Sequence, residues 1–161
     1  MKCQLRSFGL ATLSAISVLT LTQPAHAIVF RYPESPEPND SVGSGYHTVL
    51  AGATFIFSGA FPTLQDRRDV YLFTPHSSDV NYQVSLTTPA NKHYLLDFSV
   101  YVDLNKNGRL DTGDAHIGTS STYTPNKVVT FRGEAYKKYM VHVYKINNVT
   151  DLSYSLSING R

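Results

Sequence analysis

From residue 46 to the end of the chain, apolar and polar positions alternate with a period of two. The alternation is clearest in Tyr139-Met-Val-His-Val-Tyr144 and in Leu152-Ser-Tyr-Ser-Leu-Ser-Ile158, where every second residue is apolar or aromatic. A strand that buries one face and wets the other has this pattern. The same reasoning predicts strands over residues 54–61, 69–74, 80–87, 94–102, 116–120, 127–132, 139–146 and 152–158. About eight short strands separated by turn signals, with no helical period and no internal repeat, predict an all-β chain: a single jelly-roll-like β-sandwich over residues 46–161. Residues 28–45, rich in Pro, Glu, Ser and Gly, read as an extended lead-in.

The amino terminus follows a different rule. Lys2 and Arg6 precede a short apolar run from Phe8 to Leu21, and Ala25-His26-Ala27 offers the small residues that signal peptidase requires. Residues 1–27 are therefore expected to be a cleaved bacterial-type signal, with a secreted or periplasmic product that starts at Ile28. The run is interrupted by Ser and Thr and is shorter than the ~20 apolar residues of a membrane span. The only cysteine, Cys3, leaves with the signal, so the remaining 161 − 27 = 134 residues have no thiol chemistry. Their charge balances, with 14 − 2 = 12 basic against 12 acidic residues. That balance gives no basic patch for nucleic acid and no attraction to a membrane surface, and a monomer is expected.

One loop departs from the strand pattern. Asp103, Asn105, Asn107, Asp111 and Asp114 stand at positions 1, 3, 5, 9 and 12 of a twelve-residue stretch, with Gly108 at position 6 and the Arg109 carbonyl at position 7. This is the spacing of a calcium loop, and three carboxylates, two amide oxygens, a carbonyl and a water would satisfy the ion. Leu110 at position 8 is placed to anchor the loop to a core. Position 12 is Asp where Glu is usual, which shortens bidentate reach. Because strands flank the loop, calcium is expected to be structural and not a sensor's ion; a polar Asn-Gly turn is the alternative.

The order Glu37-Pro-Asn-Asp-Ser41, Asp69-Val-Tyr-Leu-Phe73, Leu96-Asp-Phe-Ser-Val-Tyr-Val102, Tyr139-Met-Val-His-Val-Tyr-Lys145 and Tyr154-Ser-Leu-Ser-Ile158 resembles the bacterial pre-peptidase C-terminal domain. That family includes the collagen-binding domains of clostridial collagenases. The resemblance spans about residues 34–158 and implies a β-sandwich found on exported enzymes, here without an attached peptidase. It also implies a second calcium site at Glu37, Asn39, Asp40, Asp66 and Asp69. Arg67 and Arg68 offer a rival way to neutralise those carboxylates. By the same resemblance, a surface tyrosine on a late strand contacts the ligand, and Tyr144 occupies such a position. Alternation sends Tyr139 and Tyr144 to opposite faces, so only one of them is exposed.

Catalysis is not expected. The chain has no G-x-S-x-G or H-E-x-x-H pattern and no cysteine nucleophile, and His47, His76, His93, His116 and His142 are scattered. His142 reads as a strand-face residue and the others as loop residues, although a triad assembled in space stays an open alternative. Eleven tyrosines without a tryptophan favour a flat, wet contact surface. The expected function is a calcium-binding, non-catalytic module that attaches to an extracellular polymer, either matrix protein or polysaccharide. The alternative is an accessory subunit recruited to another secreted protein or enzyme.

Overall fold

The computed structural model describes residues 28–32, 46–92, 95–121 and 123–161. The expected signal, residues 1–27, lies outside them, as do Glu37, Asn39, Asp40 and His93. Ten strands are described: β1 Ile28–Tyr32, β2 Tyr46–Val49, β3 Ala53–Phe61, β4 Arg68–Pro75, β5 Asn81–Thr87, β6 Leu96–Val102, β7 Ala115–Ser120, β8 Asn126–Arg132, β9 Tyr139–Lys145 and β10 Leu152–Gly160. They form two five-stranded sheets, ordered β1-β3-β10-β5-β8 (sheet A) and β2-β4-β9-β6-β7 (sheet B), packed as a sandwich. The eight strands expected from alternation are all present. β1 and β2 are additional; each pairs in parallel at a sheet edge, β1 with β3 and β2 with β4. The first five residues of the lead-in are thus a sheet strand.

The chain changes sheet at nearly every connection. Among the described strands, only β6 and β7 are consecutive in sequence and adjacent in one sheet. The core lies between the sheets. Phe55, Phe57, Val84, Leu86, Leu156 and Ile158 from sheet A meet Phe73, Phe98, Val100, Val141 and Val143 from sheet B, each large side chain contributing roughly 1.5–3 kcal/mol by leaving water. β4 and β6 are buried along almost their whole length, because a second apolar cluster covers part of the outer face of sheet B. There Val70, Leu72 and Met140 pack with Tyr101 and Leu110. Leu110 comes from the β6–β7 connection, so the loop with calcium-ligand spacing folds back over the sheet it interrupts.

Candidate functional site: the β6–β7 loop and the outer face of sheet B

The loop owes its shape to side chains capping its own backbone. Asp103 is 2% exposed, and its Oδ2 accepts the Gly108 N–H at 2.8 Å. Asn105 Oδ1 accepts from Asn107 N at 3.0 Å, and Asn107 Oδ1 from Arg109 N at 2.7 Å. Asp114 closes the ring, its two oxygens accepting from Leu104 N (3.2 Å) and Asp111 N (2.9 Å). Such local acceptors replace sheet bonds that a loop cannot make. Gly108 adopts φ +71°, which costs a glycine little. A Cβ there would stand 3.1 Å from Leu72 Cδ1, so the turn also needs glycine to lie against the sheet.

Asp111 is at the middle of the ring. Its Oδ2 accepts from Asn105 Nδ2 at 2.7 Å and Asn107 Nδ2 at 2.9 Å, and its Oδ1 from Gly113 N at 2.9 Å. These donors, the Gly113 amide first, hold its carboxyl below the usual carboxylate range. Of the five expected ligand side chains, Asn105, Asn107 and Asp111 are joined to one another, while Asp103 and Asp114 accept from backbone N–H groups of the loop. Among the described residues no group of three or more His, Cys, Asp or Glu side chains is placed to hold a metal ion; besides its carboxylates the loop offers the side-chain oxygens of Asn105 and Asn107 and backbone carbonyls. These donors are all hard oxygens, which suits calcium and not a thiophilic metal.

The residues expected at a second site are only partly in view. Asp66 (9% exposed) and Asp69 (0%) are both buried at the start of β4. Asp69 points inward and accepts a hydrogen bond from the Tyr154 hydroxyl, which in turn shares one with Tyr71 at 2.7 Å. Burial, and then the neighbouring Tyr71 and Asp69, push the Tyr154 hydroxyl well above its usual pKa. Arg67 donates to Asn148 Oδ1 at 2.6 Å.

Beyond the loop, the outer face of sheet B is polar and aromatic. Tyr139 is 2% exposed and stacks on Phe73 in the core (5.3 Å between centroids), whereas Tyr144 is half-buried on the outer face, 5.2 Å from the His142 ring. Ser99 Oγ and Thr119 Oγ1 lie 2.7 Å apart, and Thr119 Oγ1 is 2.8 Å from His116 Nε2. The His116 ring meets Tyr101 edge-on at 5.2 Å. His116 lies in β7, as the strand expected over residues 116–120 requires and against its reading as a loop histidine. His47, also expected in a loop, lies in β2, half-buried against Tyr32 and Phe57, in a strand too short to carry an alternation signal. Lys127 is a residue that sequence reasoning overlooked: it is 1% exposed and forms an ion pair of 3.1 Å with Asp97.

His142 makes this face pH-sensitive. Burial, helped by Arg68, lowers its pKa from 6.5 to about 4. A base whose folded pKa is depressed favours the folded state above its unfolded value, and that stability drains away as pH falls from 6.5 through 4. At about 1.4 kcal/mol per pH unit the loss is capped near 3 kcal/mol, and water reaching the half-buried ring lowers it toward about 1–2. Arg68 and Tyr144 adjoin the ring and Val70 and Ser99 are its register partners, while Asp97 and Tyr101 act on Tyr144. Melting curves at neutral pH and near pH 4 should show His142→Gln losing less stability than the parent; equal losses would remove His142 from the account.

No protein-family model matches the sequence, and no curated protein does. Among solved structures, the fold is similar to the pre-peptidase C-terminal domain of collagenase from Bacillus anthracis, with a TM-score of 0.52 and 18% identity over 73% of this chain and 99% of that one. It is also similar to PliG of Aeromonas hydrophila, a periplasmic inhibitor of g-type lysozyme (TM-score 0.43, 14% identity, 83% of this chain and 98% of that one). A third neighbour is CorA of Methylomicrobium album BG8, a surface-associated copper-binding protein (TM-score 0.43, 6% identity, 72% and 98%). The first likeness shows a shared all-β sandwich fold.

Proposed function

We propose that this chain is a secreted or periplasmic, non-catalytic module in which the 103–114 loop binds calcium and the adjoining outer face of sheet B attaches to an extracellular polymer, matrix protein or polysaccharide. The observation that supports the reading is the loop itself: five oxygen-bearing side chains stand at ligand spacing, Asn105, Asn107 and Asp111 are joined to one another, and Leu110 fastens the loop to the face presenting Tyr144 and His142. Asp103, Asn105, Asn107, Asp111, Asp114 and the Arg109 carbonyl would hold the ion. Bound calcium would neutralise three carboxylates and stiffen the loop without touching the polymer. The second reading, a subunit recruited by another secreted protein, is favoured by Leu64 (47% exposed) and Ile146 (49%). They lie on two loops that Lys145 Nζ ties together through the carbonyls of Thr63 (2.6 Å) and Val149 (3.0 Å).

Calcium at a hundredfold excess over its dissociation constant should stabilise the fold by roughly 2.7 kcal/mol relative to chelator, and Asp103→Ala should remove most of that gain. An undiminished gain in the variant would move the ion to the Asp66 and Asp69 region. For the contact surface, the measurement is pull-down on insoluble matrix proteins and polysaccharides with and without chelator. Tyr144→Ala should weaken capture by about 1–2 kcal/mol with little change in melting temperature. Capture by none of these polymers, with retention of the module by a secreted protein through Leu64 and Ile146, would replace the first reading with the second.

A further inference from the structure

The chain contains two Asn-Gly steps, Asn107-Gly108 and Asn159-Gly160, in opposite environments. Such a step can modify itself. The glycine backbone nitrogen attacks the asparagine side-chain carbonyl carbon, a new C–N bond closes a five-membered imide, and the side-chain nitrogen leaves as ammonia. Water then opens the ring at either carbonyl, giving aspartate or its β-linked isomer; no oxidant or reductant is involved. Glycine permits this best, because no Cβ hinders the approach.

Asn159 is shielded from it. Its strand pairs on both sides, with Thr54 of β3 and Gln83 of β5 as register partners, its Nδ2 bonds Thr54 Oγ1, and Gly160 is buried with Leu50 O 2.9 Å from where a Cβ would stand. Asn107 is exposed, in a loop with no ladder to hold it. Its restraint is chemical. The attacking nitrogen, Gly108 N, is tied to Asp103 Oδ2 at 2.8 Å, while the Asn107 amide is turned toward Arg109 N and Asp111. The Asp103 carboxylate restrains closure twice. It fixes the N–H in a charge-assisted hydrogen bond, and its charge opposes the amide anion that attack requires.

We propose that Asn107-Gly108 is a self-modification site, converted to aspartate and isoaspartate whenever the loop opens, and that Asp103 sets its rate by holding the Gly108 N–H. The isoaspartyl product lengthens the backbone by one methylene directly before Gly108, so the φ +71° turn and the Gly108–Asp103 bond are lost together. The loop is thereby disabled irreversibly, whether or not an ion occupies it.

The test is to age the exported chain at mildly alkaline pH, below its melting temperature, and to map peptides by mass spectrometry with isoaspartate detection. Conversion at Asn107 should exceed that at Asn159 roughly tenfold or more, and Asp103→Ala should raise the Asn107 rate by roughly another tenfold while leaving Asn159 unchanged. Asn159 doubles as a gauge of global unfolding. If Asp103→Ala raises both sites, Asp103→Asn, which keeps an acceptor without the charge, is read instead, with faster conversion at Asn107 alone expected. Equal conversion at the two sites of the parent chain overturns the site, and unchanged or slower conversion at Asn107 in the folded variant overturns the role of Asp103.

Discussion

Replacing Lys127 with methionine should cost about 3–5 kcal/mol, enough to lower the melting temperature by about 10 °C or more. Lys127 alternates with Val129 on the buried side of β8, and its ammonium sits 3.1 Å from Asp97 Oδ1, with side chains 1% and 10% exposed. β7 ends at Ser120, opposite Phe98, one residue short of Asp97, so the pair bridges sheet B to sheet A where the β7–β8 connection crosses between them. Removing the cation leaves a carboxylate that is 7% exposed as a residue without its counter-charge, which is the expensive half of a buried pair. The double variant Lys127→Met/Asp97→Leu, which removes both charges, should recover most of the loss. Urea unfolding decides the matter. If the double variant is as unstable as the single one, the cost is packing and not charge.

The strands were legible in the sequence wherever one face is core and the other is water. Residues 139–144 and 152–158 declare their register through alternation alone. The runs Val70-Tyr-Leu-Phe73 and Leu96 to Val102 are more continuously apolar, and the structure supplies the reason: the loop carrying Leu110 covers part of their second face. β1 and β2 were not legible. They are five and four residues long, and their parallel pairing depends on β3 and β4, distant partners that no local pattern specifies. The 103–114 stretch was readable as a loop between strands, and the acceptors that shape it lie two to ten residues from their donors. Asp69, Tyr71 and Tyr154 were opaque as a group, since the hydrogen bonds joining them span more than eighty residues. The same holds for Lys127, whose partner Asp97 belongs to the other sheet.

That long-range group sets the second large effect. Gly59 and Tyr154 face each other across the β3–β10 ladder, and the tyrosine ring lies over the glycine. A Cβ at residue 59 would fall within the radius of Tyr154 Cζ and its hydroxyl, and 2.6 Å from the Tyr71 hydroxyl. Gly59 is not in a left-handed conformation, so its requirement is for space alone. The ring cannot swing aside freely, because its hydroxyl donates to Asp69, which is 0% exposed, and its body packs on Phe61 at 5.5 Å. Gly59→Ala must therefore either strain both strands, at about 1–3 kcal/mol, or expel Tyr154 and strip a buried carboxylate of its hydroxyl donor at about 1.5–3 kcal/mol more. We expect a total loss of about 3 kcal/mol or more, with Tyr154 newly exposed. Unfolding curves give the size of the loss and tyrosine fluorescence quenching gives the exposure. A variant within about 1 kcal/mol of the parent, its tyrosines still shielded, would show that the two sheets have slack at this point and that Asp69 does not depend on Tyr154.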